Sequence, residues 1–408
     1  MLFHAIAPFA RVFCVTAIFL SSGICTSFSQ GKSFPFNLFD SSSDNSQEIR
    51  RLTDSGIAKY EKRDYAGAIS DYDRVLKLAP QRFSVYNLRG SAKRPSGDLD
   101  GAEADYKHAL ELEPRSLLAH VGLGHVKEKR GDAAGAREEF QQAIKIDPQS
   151  GFAYVDLGNL ELAQKNYQQA EENYNLAVAR SPDSAAVWLG LTELHLKQDR
   201  VADARANVEH ALELNPQSVG GHELRGAIKR RQDDLPGALA DYRRAVELNP
   251  KLTLARRHIA YLEVRLHQYE AALVDAQLVP DHRPGTSTDY LQLLVWSLRT
   301  RLGQPAEADR QLSVYLADRP HPAEGDWFDH VGAYLLGREP EDALFEHAKS
   351  EDAKTAAGQL CEAWYYMGLR ALFVGDKTTA AEHFRRCVAT GETTFYEYAL
   401  AAAELQSL

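Results

Sequence analysis

From Ile49 to Leu252 the apolar positions fall on a helical beat, and the beat itself repeats. Pro80, Pro114, Pro148, Pro182, Pro216 and Pro250 stand 34 residues apart, without insertion or deletion. With each proline as position 32 of a unit, the other positions line up in columns. Position 8 reads Gly56, Gly90, Gly124, Gly158, Thr192 and Gly226, and position 20 is alanine throughout, from Ala68 to Ala238. Position 24 reads Tyr72, Tyr106, Phe140, Tyr174, Val208 and Tyr242, while position 27 reads Val75, Ala109, Ala143, Ala177, Ala211 and Ala245. The columns predict two helices per unit. Small residues lie where the helices approach, and a larger side chain there overpacks at roughly 1–3 kcal/mol. The position 24 aromatic fills the space they leave. An apolar–polar–apolar trio, such as Leu76–Leu78 or Leu110–Leu112, closes the second helix before the proline stops it.

Two units depart from the pattern. Val178 and Arg180 replace the apolar pair of one trio and predict a looser joint. Pro95, at position 13, predicts that its first helix ends early. Elsewhere the turn between helices is short and polar, as at Arg63–Asp64, Gly131–Asp132 and Asp233–Asp234.

A 34-residue period with these columns resembles the tetratricopeptide repeat. The resemblance implies an all-α fold, a right-handed superhelix (α-solenoid) of antiparallel helix hairpins. No unit buries its apolar face alone, so stability comes from stacking. Seven units span residues 49–286. The seventh keeps Ala260, Tyr269 and Ala272 but ends in a loop-like stretch from Pro280 to Pro284. Residues 287–360 read as divergent helical hairpins: Tyr290 to Leu302 with Ala306 to Ala317, then Glu324 through Trp327 to Ala348, turning at Gly337–Pro340. Lys349 to Gly358 reads as a connection. The beat returns over residues 361–394, where Cys361, Trp364, Gly368, Gly375, Asp376, Ala380, Phe384 and Cys387 reproduce the columns. Residues 395–408 read as a C-terminal capping helix. Cys361–Gly368, Gly375–Lys377, Ala380, Phe384 and Thr394–Tyr398 also resemble the bacterial NlpI-type envelope lipoproteins. That resemblance implies a periplasmic adaptor docking envelope proteases or peptidoglycan hydrolases.

Charge and termini narrow the setting. The net charge of −10 argues against a nucleic-acid partner or an anionic-membrane footprint. No stretch reaches the roughly 18 apolar residues of a membrane span. Val12 to Leu20 is an apolar run of signal-peptide length after Arg11, with small residues Ser27 and Ser29 before Gln30. Residues 1–29 therefore read as an export signal, with an uncleaved anchor as the alternative, and 30–48 as a flexible linker. Ile24 before Cys25 does not supply the small residue of a lipid-attachment box. Without the leader, only Cys361 and Cys387 remain. They face each other across a hairpin, as a disulfide in an oxidising compartment or as two buried thiols.

No Gly-rich phosphate loop, His-Glu-x-x-His, Gly-x-Ser-x-Gly or Cys-x-x-Cys pattern occurs, so no enzyme and no cofactor are expected. Among the 14 histidines, His120 and His125 are five apart and His258 and His267 nine apart, neither a helical ligand spacing; no metal site is expected. The candidate is the concave groove that the repeat family lines with positions 5, 9 and 12 of each first helix. Here it carries Tyr60, Asn87, Arg94, His125, Glu128, Asn159, Leu162, Glu193, Leu196, Glu223, Arg230, Arg257 and Tyr261. The groove is polar at its ends and apolar at Val155, Leu162, Leu189 and Leu196, suiting a partner helix or extended peptide with one apolar face. The plainer reading has Val155 and Leu189 packing within their own hairpins. No unit has the Lys at position 5 with Asn at position 9 of a carboxylate clamp. Basic clusters late in first helices (Lys93–Arg94, Lys127 with Lys129–Arg130, Lys229–Arg231) read as complements to helix carboxyl ends, or as a rim for an acidic partner or polymer. Two functions follow: a non-enzymatic, protein-binding scaffold of the cell envelope, and, as the alternative, an assembly protein that self-associates, in the simplest case as a homodimer.

Overall fold

The computed structural model describes residues 45–279, 289–319, 326–350 and 352–408. Their regular structure is entirely helical, as the 34-residue beat requires, and no strand occurs among them. The leader, most of the linker and the stretch from Pro280 to Pro284 lie outside the described residues. The chain divides into two compact units between Leu224 and Arg225.

In the first unit the hairpins are α1 (Asn45–Glu61) with α2 (Tyr65–Leu78), α3 (Phe83–Ser96) with α4 (Leu99–Leu112), and α5 (Leu117–Lys129) with α6 (Ala133–Ile146). They continue with α7 (Gly151–Ala163) and α8 (Tyr167–Arg180), then α9 (Ala185–Lys197) and α10 (Val201–Leu214). Successive first helices touch one another (α1 and α3, α3 and α5, α5 and α7, α7 and α9), and second helices do not meet their counterparts to that extent. First helices thus form the tighter, inner layer of this unit.

The columns pack as their chemistry demands. A Cβ added at Gly124 would stand 2.4 Å from the Phe140 ring, and one at Gly56 2.5 Å from Tyr72. Tyr106 serves two hairpins at once, since a Cβ at Gly90 or at Gly122 would meet its ring at 3.0 or 2.3 Å. The fifth unit inverts the pair: Thr192 replaces the glycine and Val208 the aromatic, and both are fully buried. Added volume on one helix is matched by lost volume on the other. The Thr192 hydroxyl donates to the Trp188 carbonyl at 2.7 Å.

The turn inside each repeat hairpin uses one device. The residue at position 15 takes a left-handed φ in all seven units: Arg63, Gly97, Gly131, Lys165, Asp199, Asp233 and His267. At position 16, Asp64, Asp98, Asp132 and Asp234 cap the second helix by accepting the backbone N–H of Gly67, Gly101, Gly135 and Gly237. Pro95 does not shorten its helix. It sits in the last turn of α3, which ends at Ser96, and Gly97 closes the helix with φ 92°. So close to the end, the missing N–H and the ring cost little. At the departing trio, Arg180 lies over the Tyr154 ring at 5.5 Å and Val178 joins the Tyr174 cluster, so polar and apolar parts both cover the joint.

Helix α11 (Val219–Arg231) crosses the division, which falls inside the sixth repeat rather than near residue 286. The second unit continues with α12 (Leu235–Leu248), α13 (Thr253–Arg265), α14 (Tyr269–Gln277), α15 (Asp289–Arg301) and α16 (Pro305–Asp318). It ends with α17 (Trp327–Leu335), α18 (Glu341–His347), α19 (Ala353–Phe373), α20 (Lys377–Ala389) and α21 (Tyr396–Ser407). Its core is a large cluster from Ala260 to Ala401 and a smaller one around Tyr242 and Ile259. The expected connection from Lys349 to Gly358 is mostly helix. Asp352 caps α19 through the Thr355 N–H at 2.8 Å, and Gly358 lies under the Phe395 ring, so α19 starts two turns before Cys361.

Buried Arg319 organises the divergent part. It pairs with Asp289 at 2.9 Å and Asp326 at 2.8 Å, and also contacts Asp329, while its guanidinium covers the Phe328 ring at 4.5 Å. Helix α21 caps α19 and α20, as expected, but it also reaches α13. Among the described residues no helix is long and apolar enough to cross a membrane.

Candidate functional site

The basic residues late in first helices serve the hairpins themselves. Position 11 faces position 23 of the same unit: Lys59–Asp71 at 2.6 Å, Lys93–Asp105 at 2.9 Å, Lys127–Glu139 at 2.8 Å and Lys229–Asp241 at 2.8 Å. Where position 11 is acidic, its partner comes from the preceding second helix, Arg137 for Glu161 and Arg243 for Glu263, each at 2.6 Å. Arg130 reaches back to Asp100 and Glu103 of the unit before. These lysines and Arg130 therefore work as cross-helix ties, not as the rim of an anion site.

The groove positions separate by depth. In the first unit Tyr60 is buried edge-on to Tyr65 at 5.5 Å, and buried Asn87 donates to the Ser116 hydroxyl at 2.9 Å. Val155 and Leu196 are core residues, so the apolar middle of the groove reduces to half-buried Leu162 and Leu189. Glu193 is exposed, Glu223 half-buried with its carboxyl pushed up by burial, and exposed Asn159 accepts the Tyr174 hydroxyl at 2.7 Å.

Arg94, His125 and Glu128 come together, around a residue that lies just off the expected columns. Asp156, at position 6 of α7, has a side chain only 1 % exposed, and neither carboxylate oxygen has a hydrogen-bond partner. Its nearest basic side chain is His125, whose Nε2 lies 3.5 Å from Oδ1 while Nδ1 lies 3.5 Å from Glu128. Burial raises the Asp156 carboxyl to about 6, against a downward pull from His125 and Arg94. The Arg94 Nε is also buried without a hydrogen bond. Position 6 reads Asp54, Leu88, Gly122, Asp156, Gly190, Leu224 and His258, so a carboxylate stands in a column where α3 carries leucine and α5 and α9 carry glycine. That substitution was the signal available in the sequence.

In the second unit the same face of α13 is already occupied. Tyr396 of α21 stacks on Tyr261 with ring centres 3.8 Å apart, its hydroxyl is 2.5 Å from His258 Nδ1, and Arg257 lies 6.0 Å over its ring. Burial lowers His258 to about 3, with Arg230 and Arg257 adding to the effect. Farther along α21, Glu404 pairs with Arg301. Arg257 and Tyr261, at positions 5 and 9, thus receive the chain's own last helix. Cys361 and Cys387 are buried thiols with sulfurs 3.3 Å apart and no bond between them.

The tetratricopeptide repeat family profile matches residues 96–160 and 161–228, so this stretch is similar to tetratricopeptide repeats. Solved structures share the all-helical architecture. The APC/C hetero-tetramer Cut9–Hcn1 aligns at TM-score 0.52 and 17 % identity, over 73 % of this chain and 57 % of the other. The human IFIT1 dimer with m7Gppp-AAAA aligns at TM-score 0.50 and 15 % identity, over 87 % and 84 %. A tetratricopeptide repeat protein from Parabacteroides merdae aligns at TM-score 0.46 and 15 % identity, over 61 % and 98 %. At these identities the two alignments at TM-score 0.50 and 0.52 show the fold alone.

Proposed function

We propose that this chain is a non-enzymatic, protein-binding scaffold whose first unit docks a partner helix on the inner faces of α5 and α7. The observation that carries the reading is intramolecular. On α13, positions 5, 6 and 9 already hold a helix, through Arg257, His258 and Tyr261 against Tyr396. On α7 the same positions are Val155, Asp156 and Asn159, beside His125 and Glu128 of α5. A buried carboxylate without a hydrogen bond costs stability. An incoming lysine or arginine flanked by apolar residues would relieve that cost, its aliphatic neighbours meeting Leu162 and Leu189. The net charge of −10 favours such a basic protein segment over nucleic acid.

The setting proposed is the bacterial envelope, after export directed by residues 1–29, with proteases or peptidoglycan hydrolases as the class of client. Self-association through end faces or the divergent hairpins is the second reading, and a concentration-independent monomer in light scattering would discard it. The docking reading is tested by panning a displayed peptide library against the tag-free chain, with Asp156→Asn as counter-selection. It expects enriched peptides with a basic residue among apolar ones, bound at least about tenfold more weakly by the variant. Enrichment independent of Asp156 would refute it.

A further inference from the structure

One cluster in the divergent hairpin α17–α18 has no part in these stacking and docking roles. His330 sits on α17, Glu339 in the turn that follows, and His347 at the end of α18, with eight and seven residues between them. That spacing suits no single helix, and it escapes any search for ligands three or four residues apart. The turn folds the three together. Their ligand atoms all lie within 4.8 Å of one another. His330 Nδ1 is 3.1 Å from Glu339 Oε2, and His347 Nε2 is 3.4 Å from Glu339 Oε1.

We propose that His330, Glu339 and His347 bind a divalent first-row transition metal, zinc in the first instance. Ligands at about 2.0–2.1 Å around a tetrahedral zinc stand roughly 3.3 Å from one another. The two His–Glu separations are already at that value. Two imidazoles and one carboxylate match zinc, and also cobalt or nickel, whereas magnesium and calcium call for oxygen ligands throughout.

The local electrostatics point the same way. The Glu339 side chain is 13 % exposed and its Oε1 is buried without a hydrogen bond. Neighbouring cations are committed elsewhere: Arg338 donates to Ser313 at 2.7 Å and Lys349 pairs with Glu346 at 2.6 Å. The two imidazoles lie face to face with ring centres 3.4 Å apart and planes 13° from parallel. Neutral rings offer lone pairs to a metal, which supplies the positive charge the carboxylate lacks. Coordination requires those lone pairs to converge, so one ring turns out of the stack on loading. His347, with a side chain 44 % exposed, has the freedom to do so. Three protein ligands leave a fourth position for water or for a group from another molecule. The bound ion would tie α18, at seven residues the shortest helix among the described residues, to α17.

The test is a titration of the tag-free full chain with zinc, and with cobalt(II) as a spectroscopic probe, monitored by calorimetry and visible absorption. The expected result is one equivalent of metal per chain, four-coordinate cobalt absorption, and a rise in melting temperature on loading. His347→Ala and Glu339→Gln should each weaken binding at least about 10- to 100-fold, the scale by which even outer-shell changes alter metal sites. Exposed His347 can be removed without disturbing the apo fold, so an unchanged apo melting temperature in that variant excludes misfolding as the cause. Binding equally tight in native chain and variants would overturn the proposal, as would failure of the native chain to bind either metal.

Discussion

The two units are built from the same hairpin and place their polar groups differently. In the first unit buried acids are tied through the repeated columns, Asp71 to Lys59 and Asp105 to Arg89 and Lys93 within one hairpin, Glu161 to Arg137 of the hairpin before. In the second unit the column tie persists at Lys229–Asp241, and further ties are made once, outside the repeated columns. Arg301 meets Glu404, Arg319 gathers Asp289, Asp326 and Asp329, and Tyr396 reaches His258. Glu362 takes the Trp327 indole N–H at 2.6 Å, and Glu397 the Tyr366 hydroxyl at 3.3 Å. A local, repeated tie leaves the inner face of each hairpin open for use. A long-range tie consumes it, as α21 consumes the face of α13. Against the regular lysine and arginine pairing of the first unit, Asp156, with the His125 imidazole 3.5 Å away and no hydrogen bond, stands out as a cost without a structural return.

The largest effect expected from breaking this contrast is at Arg319. Arg319→Ala leaves the buried Asp289 carboxylate without its guanidinium and should cost about 3–5 kcal/mol, read by denaturant unfolding of the full chain. A loss below about 1 kcal/mol would mean that the divergent hairpins do not depend on the network. Next comes the glycine–aromatic column of the first unit. Gly124→Ala drives a Cβ into the Phe140 ring and should cost roughly 1–3 kcal/mol. The double variant Gly124→Thr/Phe140→Val, copying the Thr192/Val208 pair, should recover most of the loss that Gly124→Thr alone produces. Simple additivity of the two changes would contradict the packing argument. The smallest effect is a gain: Lys165→Gly removes a left-handed non-glycine residue and should stabilise by roughly 0.5–1 kcal/mol.

How far each region could be read beforehand follows from the same contrast. The packing columns were legible because they repeat, so Gly56, Gly124 and Phe140 declare their roles by position. The position 11–23 ties repeat too, but their members lie twelve residues apart across a turn, so Lys93 and Lys127 looked like basic clusters along one helix. Asp156 was missed because it stands one column off the expected groove. The α21–α13 contact joins residues 138 apart, Tyr396 and His258, and no local pattern announces it. His330, Glu339 and His347 meet only because a turn folds back between two short helices. Local periodicity yields the hairpins, whereas contacts made once are visible only in the folded chain.

Stability of the Asp156→Asn variant against native protein, followed as a function of pH, tests the central claim most directly. Burial holds this carboxyl at about 6, above the roughly 3.9 of an unfolded chain, so the charged form is disfavoured in the fold. The penalty is full above pH 6 and disappears as pH falls towards 4. The variant is therefore expected to be more stable at pH 7, by on the order of 2–3 kcal/mol, with the advantage gone near pH 4. A variant less stable than native across that range would show that Asp156 supports the fold, and would contradict its assignment to partner docking.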